Sequence, residues 1–185
     1  MLLDALKSFS WYNEPENVRF IENGMQIATT PETDFWQNSA YHLHRDNGHF
    51  FYTSKTNDFN LTVKWSFSDA VASDQCGLML RIDNLNWAKI SLLSADMRNL
   101  QIGTVVTNNG YSDWSGYSLR MLPSELWFKI VRRGNDFALS FSEDGSRFER
   151  VRTFSIPLAL PSVKVGGYAC SPQKRSFICV LEDIY

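Results

Sequence analysis

The chain has 185 residues, of which 44% are hydrophobic and 14% aromatic, and its formal net charge is −2. A chain of this length can bury a substantial core as a single domain, residues 1–185, without disulfides or metals. Large aromatic side chains are favoured in strands, so the composition favours an all-β fold. Lysine and arginine form no cluster of the kind that tight nucleic-acid binding requires, and no nucleic-acid partner is expected.

The cysteines and the first residues indicate where the protein resides. Cys76, Cys170 and Cys179 are odd in number and lie in apolar or alternating segments, which is typical of buried, reduced thiols. The first residues lack the basic and apolar regions of a signal peptide. No apolar run approaches the ~20 residues that span a bilayer. We therefore expect a cytoplasmic protein with no membrane partner.

In the first part of the chain, short strands alternate with tight turns. A short helical turn is expected at residues 2–9, and the dipeptide Asn23-Gly24 is a strong hairpin signal. Residues 30–36 are expected to form a loop. The residues from 59 to 67 alternate strictly between apolar and polar, as a half-buried antiparallel strand does. The predicted strands are 18–21, 25–29, 40–43, 49–53 and 59–67.

The remainder of the chain continues this pattern, and helical periodicity is absent. Turn signals occur at 83–86, at 108–110 and at 134–136. The predicted strands are 75–82, 87–93, 100–107, 127–133, 137–142, 148–151, 163–169 and 177–185. Roughly a dozen short strands at this spacing predict an antiparallel β-sandwich.

The two strands within residues 74–93 are predicted to form a hairpin with two different faces. Alternation directs one row of apolar side chains toward the core. The opposite row places Gln75, Arg81, Trp87 and Lys89 together on the other face. An indole stacks on the apolar face of a sugar ring, while amide and cationic groups bind its hydroxyl groups. This face is the candidate ligand site, and an ordinary solvated sheet face is the alternative.

Further polar and aromatic residues extend the candidate site. The predicted ligand-binding set is Asp74, Gln75, Arg81, Trp87, Lys89, Asp113, Trp114 and Trp36. In this hypothesis Trp87 stacks on the ligand, Arg81 and Lys89 donate charge-assisted hydrogen bonds, and the neighbouring acid and amide orient it. The alternative for Trp36 and Trp114 is that they fill packing sites over the sheet.

No catalytic arrangement is recognisable in the sequence. A glycosidase needs two carboxylates that flank a cleft. The close pairs of acids lie in proline-containing segments, at a turn, or on opposite strand faces: Glu14 and Glu16, Glu32 and Asp34, Glu143 and Asp144, Glu182 and Asp183. His42 and His44 could begin a metal site with His49 or Asp46, but surface or turn histidines explain them better. Nucleophile elbows and phosphate loops are absent. The expectation is therefore no enzymatic activity, no cofactor and no metal.

A series of motifs runs along almost the whole chain. Its members lie at residues 11–15, 33–36, 46–49, 74–83, 86–89, 105–115, 142–145 and 166–172. The series resembles the regulation-of-enolase family, long catalogued as a domain of unknown function. The resemblance implies a concanavalin A-like lectin/glucanase jelly roll, with two antiparallel sheets of which one is concave.

For function, the resemblance implies less than it does for fold. Related sandwiches are accessory domains of β-xylosidases, and the best-known fungal member is linked to enolase and galactose metabolism. We expect a non-catalytic binding or regulatory module that recognises a carbohydrate or polar metabolite on the concave face. The alternatives are a protein-interaction regulator of a metabolic enzyme such as enolase, and a diverged, xylosidase-like glycosidase. The chain departs from the family pattern W-x-K-x-G-x-E, because Ser91 and Leu93 stand in place of Gly and Glu.

Overall fold

Antiparallel strands make up almost all of the structure, a computed structural model that describes residues 6–40, 42–68, 70, 73–94, 100–157 and 162–185. Its strands, in chain order, are Ser10–Tyr12 (β1), Asn17–Ile21 (β2), Gly24–Ala28 (β3), Phe35–Gln37 (β4), His44–Asp46 (β5), His49–Thr56 (β6), Phe59–Phe67 (β7), Gln75–Arg81 (β8), Trp87–Ser94 (β9), Leu100–Asn108 (β10), Tyr111–Ser118 (β11), Glu125–Arg133 (β12), Asp136–Ser142 (β13), Glu149–Ser155 (β14), Ser162–Cys170 (β15) and Ile178–Ile184 (β16).

Two seven-stranded sheets pack face to face. The first sheet has the order β1-β6-β15-β8-β9-β10-β11, and the second has the order β14-β13-β12-β7-β16-β3-β2. Neighbouring strands within both sheets are antiparallel. The predicted all-β antiparallel sandwich is therefore confirmed. In the described part of the chain, no helix has the length and hydropathy that crossing a bilayer requires.

The core lies between the two sheets and follows the predicted alternation. In β7, Leu61, Val63 and Trp65 are buried, whereas Asn60 is exposed. The indole N–H of Trp65 donates a hydrogen bond to the carbonyl oxygen of Gly77 at 2.9 Å, which connects the second sheet to the first. This bond satisfies the one polar group of a fully buried side chain, so that the indole adds its apolar area to the core without an unpaired donor.

Some short elements differ from the prediction. Residues 30–36, predicted as a loop, contain the start of β4, and β4 pairs with β5 rather than with a strand at 40–43. Tyr41, in that predicted strand, and residues 2–5, in the predicted helical turn, lie outside the described residues. The polar strand β11 was not predicted. It forms because Asn109 and Gly110 both have positive φ, 49° and 80°, as a two-residue hairpin turn after β10 requires.

The β4–β5 hairpin covers part of the concave face, which is the face of the first sheet that points away from the core. A second apolar cluster forms beneath the hairpin, separate from the main core. Its buried members are Phe35, Phe50, Met79, Trp87, Val105, Tyr168 and Cys170. The concave face is therefore partly sealed, and the site depends on which part remains open.

An ion pair holds the hairpin on the sheet. The guanidinium of Arg81, on β8, donates to both carboxylate oxygens of Asp46, on β5, at 2.7 and 2.8 Å. It also lies 4.5 Å from the ring centroid of Tyr12. The Arg81 side chain is only 6% exposed, whereas that of Asp46 is 27% exposed. A bidentate pair of this kind is strong and fixes geometry, because two parallel hydrogen bonds set the orientation of both groups.

We expect the variant Asp46→Asn to lose about 2–4 kcal/mol of unfolding free energy, because it leaves the buried guanidinium without its counter-charge. Urea unfolding followed by tryptophan fluorescence measures this loss. The control is Asp113→Asn, which makes the same charge change in the exposed pair with Arg152. The control should lose less than about 1 kcal/mol. Equal losses in the two variants would contradict the anchoring role of Arg81.

Candidate functional site

A cavity of about 530 Å³ opens on the concave face beside the hairpin. Its floor comes from strands β8 to β11, and residues 34–40 form the opposite side. The volume falls within the range of about 300–1,000 Å³ that is usual for small-molecule sites. The cavity has a polar end and an apolar end, and β9 contributes to both of them, with Lys89 at the first and Leu93 at the second.

Lys89 organises the polar end. Its ammonium group donates to Asp34 Oδ1 at 2.9 Å and to Gln75 Oε1 at 3.0 Å. It also lies 5.5 Å from the ring centroid of Tyr168 and 5.8 Å from that of Trp87. Lys89 is only 3% exposed, so these partners replace water around the charge. The pairing with Asp34 neutralises the ammonium group where water cannot screen it.

An uncharged phenol, that of Tyr168, and an uncharged thiol, that of Cys170, lie next to this ion pair. Burial is the main cause that raises the pKa of the Tyr168 hydroxyl and of the Cys170 thiol well above their ordinary values of 10.0 and 9.0. The Tyr168 hydroxyl donates to Gln75 Oε1 at 3.2 Å. The Cys170 thiol lies 3.7 Å from Asp34 Oδ1. Both groups therefore act as neutral donors under the charged pair.

Trp114 and Leu93 form the surface of the apolar end, beside the side-chain amide of Gln101, which pairs with Leu93 in the β9–β10 register. The β10–β11 register places Gly103 directly opposite Gly116. A Cβ atom at Gly116 would lie 2.6 Å from Trp114 Cη2, and one at Gly103 would lie 3.2 Å from Trp114 Nε1 and 3.4 Å from Leu93. The indole therefore lies over Gly103 and Gly116, in space that a side chain at either position would occupy. Trp114 remains 45% exposed.

Trp36 contributes to the opposite side of the cavity. Its indole N–H donates to the carbonyl oxygen of Ser39 at 2.8 Å. The next residue, Gln37, donates its backbone N–H to Ser112 Oγ at 2.9 Å. This bond attaches β4 to β11, the strand that carries Trp114. The two tryptophans of the cavity are thus held by elements that contact each other.

Four of the eight predicted site residues line the cavity: Gln75, Lys89, Trp36 and Trp114. The prediction of an exposed, stacking Trp87 is wrong, because its side chain is fully buried against the ring of Phe35 at a centroid distance of 6.2 Å. Arg81 does not line the cavity either, because its guanidinium is paired with Asp46 under the hairpin. Period-two alternation assigned these two side chains to the correct face, but the hairpin covers that part of it.

The other two predicted residues also lie outside the cavity. Asp74 is fully buried and accepts hydrogen bonds from Ser171 Oγ at 2.7 Å and from Arg175 Nη2 at 2.8 Å. Asp113 alternates with Trp114 along β11, so its side chain points to the opposite face, where it pairs with Arg152 at 2.8 Å. Both carboxylates therefore have structural partners in place of a ligand.

The predicted set omits five polar residues that line the cavity: Asp34, Gln101, Ser39, Ser91 and Ser112. Alternation along β10 would have placed Gln101 on the same face as Val105. The sequence around Asp34 does not predict its contact with Lys89, because the strand that follows Asp34 has only three residues and gives no periodic signal. Ser91 and Leu93, where the chain departs from the pattern of the family that it resembles, both line the cavity. The departure therefore changes the site itself.

The cavity contains few groups suited to catalysis. Among the described lining residues, Asp34 is the only carboxylate, whereas glycoside hydrolysis uses two. The described residues also contain no group of three or more His, Cys, Asp or Glu side chains that could hold a metal ion. What the described lining offers instead is an exposed indole, amide and hydroxyl groups, and one internally neutralised ion pair.

The raised pKa of Cys170 predicts that stability falls in alkaline solution. Above about pH 9 the unfolded chain releases the thiol proton while the folded chain retains it, so the stabilisation present at lower pH is lost as pH rises. Between pH 8 and pH 10 the variant Cys170→Ala should lose about 1.4 kcal/mol less unfolding free energy than the unmodified chain. Urea unfolding at the two pH values measures this difference. The control Tyr111→Phe, at an exposed site, should behave like the unmodified chain, and equal slopes for all three proteins would contradict the assignment.

Solved structures with the same fold include separate chains of similar length and parts of longer proteins. A structure described as a functionally unknown protein from Saccharomyces cerevisiae is 28% identical, covers 97% of both chains and has a TM-score of 0.88. The GH43 protein BlXynB from Bacillus licheniformis is 15% identical with a TM-score of 0.73, and this chain spans 36% of its length. The carbohydrate binding module CBM66 from Bacillus subtilis is 12% identical with a TM-score of 0.61, covering 96% of this chain and 93% of that one. The last two likenesses show the fold alone.

Comparison of sequences identifies the family. The Saccharomyces cerevisiae protein named "Regulation of enolase protein 1" is 30% identical over 170 residues, which are 91% of this chain and 84% of the relative. The family model described as "Protein of unknown function (DUF1349)" matches residues 11–185. The resemblance inferred from the motifs is thereby confirmed, and the chain belongs to the DUF1349 family.

Proposed function

We propose that this chain is a non-catalytic module that binds a carbohydrate or a similar small polar metabolite in the cavity of the concave face. The observation that carries the proposal is the exposed indole of Trp114 beside Leu93, facing a polar end built on Lys89 and Asp34 in one cavity. A sugar ring has an apolar face and a rim of hydroxyl groups, and it needs these two kinds of surface close together.

Two further observations support the proposal. The fold is shared with a carbohydrate binding module and with part of a GH43 protein. The single carboxylate among the described lining residues supports binding over hydrolysis. A cytoplasmic location belongs to the same proposal, because the three cysteines are buried and free, as a reducing compartment favours.

Replacement of Trp114 tests the site directly. Isothermal titration calorimetry with xylobiose, arabinose, glucose and galactose should detect binding of at least one of these sugars. The variant Trp114→Ala should weaken that binding about tenfold or more, because it removes the stacking surface. Gly116→Ala should weaken it as well, because the new Cβ would lie 2.6 Å from the present position of Trp114 Cη2 and would displace the ring.

The control for this experiment is Tyr111→Ala, which removes a 66% exposed aromatic ring from the same strand but from the opposite face. It should leave the affinity unchanged. A chain that binds none of the four sugars, or a folded Trp114→Ala variant with unchanged affinity, would contradict the proposal. The four sugars cover pentoses and hexoses, so that failure does not reflect a single poor choice.

A protein-interaction regulator is the second candidate function. It is favoured by the name of the yeast relative, "Regulation of enolase protein 1", and by exposed apolar side chains at one end of the sandwich. Leu43, Leu85 and Tyr111 are 45%, 45% and 66% exposed, and backbone bonds of 2.9 Å join Asn38 to Leu43 and Gly110 to Leu85. In a pull-down with the immobilised chain, purified enolase should be retained by the unmodified chain and by Trp114→Ala but not by Leu85→Ser. If the unmodified chain retains no enolase, enolase is excluded as its partner.

A further inference from the structure

The charged groups of the cavity cancel each other. Among the described lining residues, Lys89 is the only cation and Asp34 is the only anion. Their charged atoms are 2.9 Å apart, and Gln75 occupies a second ammonium donor at 3.0 Å. The Lys89 side chain is 4% exposed, whereas that of Asp34 is 22% exposed. The carboxylate is thus the charge nearer to a ligand, and the ammonium group lies behind it.

The other described lining groups that a ligand can meet are uncharged. Gln101, Ser91 and Ser39 provide amide and hydroxyl groups, and Trp114 with Leu93 provides the apolar surface. A carboxylate or phosphate group on the ligand would lose its water without gaining a cationic partner, which is costly. It would also approach the partly exposed Asp34, and like charges in an interface are strongly unfavourable.

We infer that the cavity selects neutral saccharides and excludes their acidic and phosphorylated forms, with the internal Asp34–Lys89 pair as the determinant of this choice. The inference rests on the proposed function and names the ligand class of the same site. A neutral sugar places its apolar face on Trp114 and Leu93 and directs hydroxyl groups toward Asp34 and Gln101. A carboxylate that is already paired still accepts hydrogen bonds from hydroxyl groups, since it has several lone-pair positions.

Matched pairs of sugars test this selectivity. Calorimetric titrations compare glucose with glucuronate and with glucose 6-phosphate, and galactose with galacturonate, so that each comparison changes one substituent. The neutral member should bind about tenfold or more tightly. Equal affinity of the neutral and acidic members for the unmodified chain would overturn the inference while leaving the proposed function standing. If no member of any pair binds, the proposed function fails and the inference fails with it.

The variant Asp34→Asn should remove the preference for neutral sugars. It leaves Lys89 without its counter-charge, so that an acidic sugar supplies the missing anion and gains about tenfold or more in affinity. The control Asp113→Asn makes the same charge change on the opposite face of β11 and should leave the preference unaltered. A folded Asp34→Asn variant whose affinity for glucuronate and galacturonate is unchanged would overturn the inference.

A second variant covers the case in which Asp34→Asn does not fold. Leu93→Lys adds a cation at the half-buried apolar end of the cavity and keeps the internal ion pair intact. It should also raise the affinity for the acidic sugars about tenfold, because the cavity then carries a net positive charge. Unchanged affinity for the acids in the folded Leu93→Lys variant would overturn the inference, and circular dichroism establishes which variants are folded.

Discussion

Two ion pairs between one short hairpin and the first sheet determine the shape of the concave face. Arg81 holds Asp46 at the end of β5, and Lys89 holds Asp34 just before β4. Both cations stand on the central strands of the sheet, where little water reaches them, and both acids come from the covering segment. Since a buried cation that loses its partner is strongly destabilising, each pair requires the hairpin to remain in place. The open cavity lies beside the hairpin, over strands β8 to β11.

The covering hairpin brings both a benefit and a cost. Phe35 lies edge-on to Trp87 and also to Tyr168, each at a centroid distance of 6.2 Å, and this contact removes large apolar rings from water. The indole N–H of Trp87 has no hydrogen-bond partner among the described residues, and an unsatisfied buried donor costs about 1–3 kcal/mol. The apolar contacts and the ion pair at Arg81 offset that cost. Trp87 is therefore a packing residue, whereas Trp114 presents a comparable ring to the cavity.

The sequence predicted the sheets far better than it predicted what covers them. Alternation places Arg81, Trp87 and Lys89 on one face correctly, because side-chain direction in a strand has a fixed period of two. It carries no information about whether a distant segment lies over that face. The segment that does so is a three-residue strand after Asp34, too short for a periodic signal. For the same reason Trp87 was assigned the stacking role, whereas the exposed indole is that of Trp114, on a strand rich in serine and glycine.

The motifs recovered the family and the fold because they extend along the whole chain, but they identify the site only in part. Ser91 and Leu93 line the cavity at the positions where the chain departs from the family pattern. Lys89 and Trp114 lie within the motifs that the chain shares with the family, whereas Ser91 and Leu93 beside them depart from the family pattern.

The most direct test of this division of the concave face is the response of the individual indole N–H signals to a bound sugar in two-dimensional ¹H–¹⁵N NMR spectra. The chain has six tryptophans, and Trp→Phe variants assign their signals. On titration with xylobiose, arabinose, glucose or galactose, the signals of Trp114 and Trp36 should shift, while those of the buried Trp87 and Trp65 should stay in place. A shift of the Trp87 signal with no change at Trp114 would contradict the account, because it would show that the ligand occupies the part of the face that the hairpin covers.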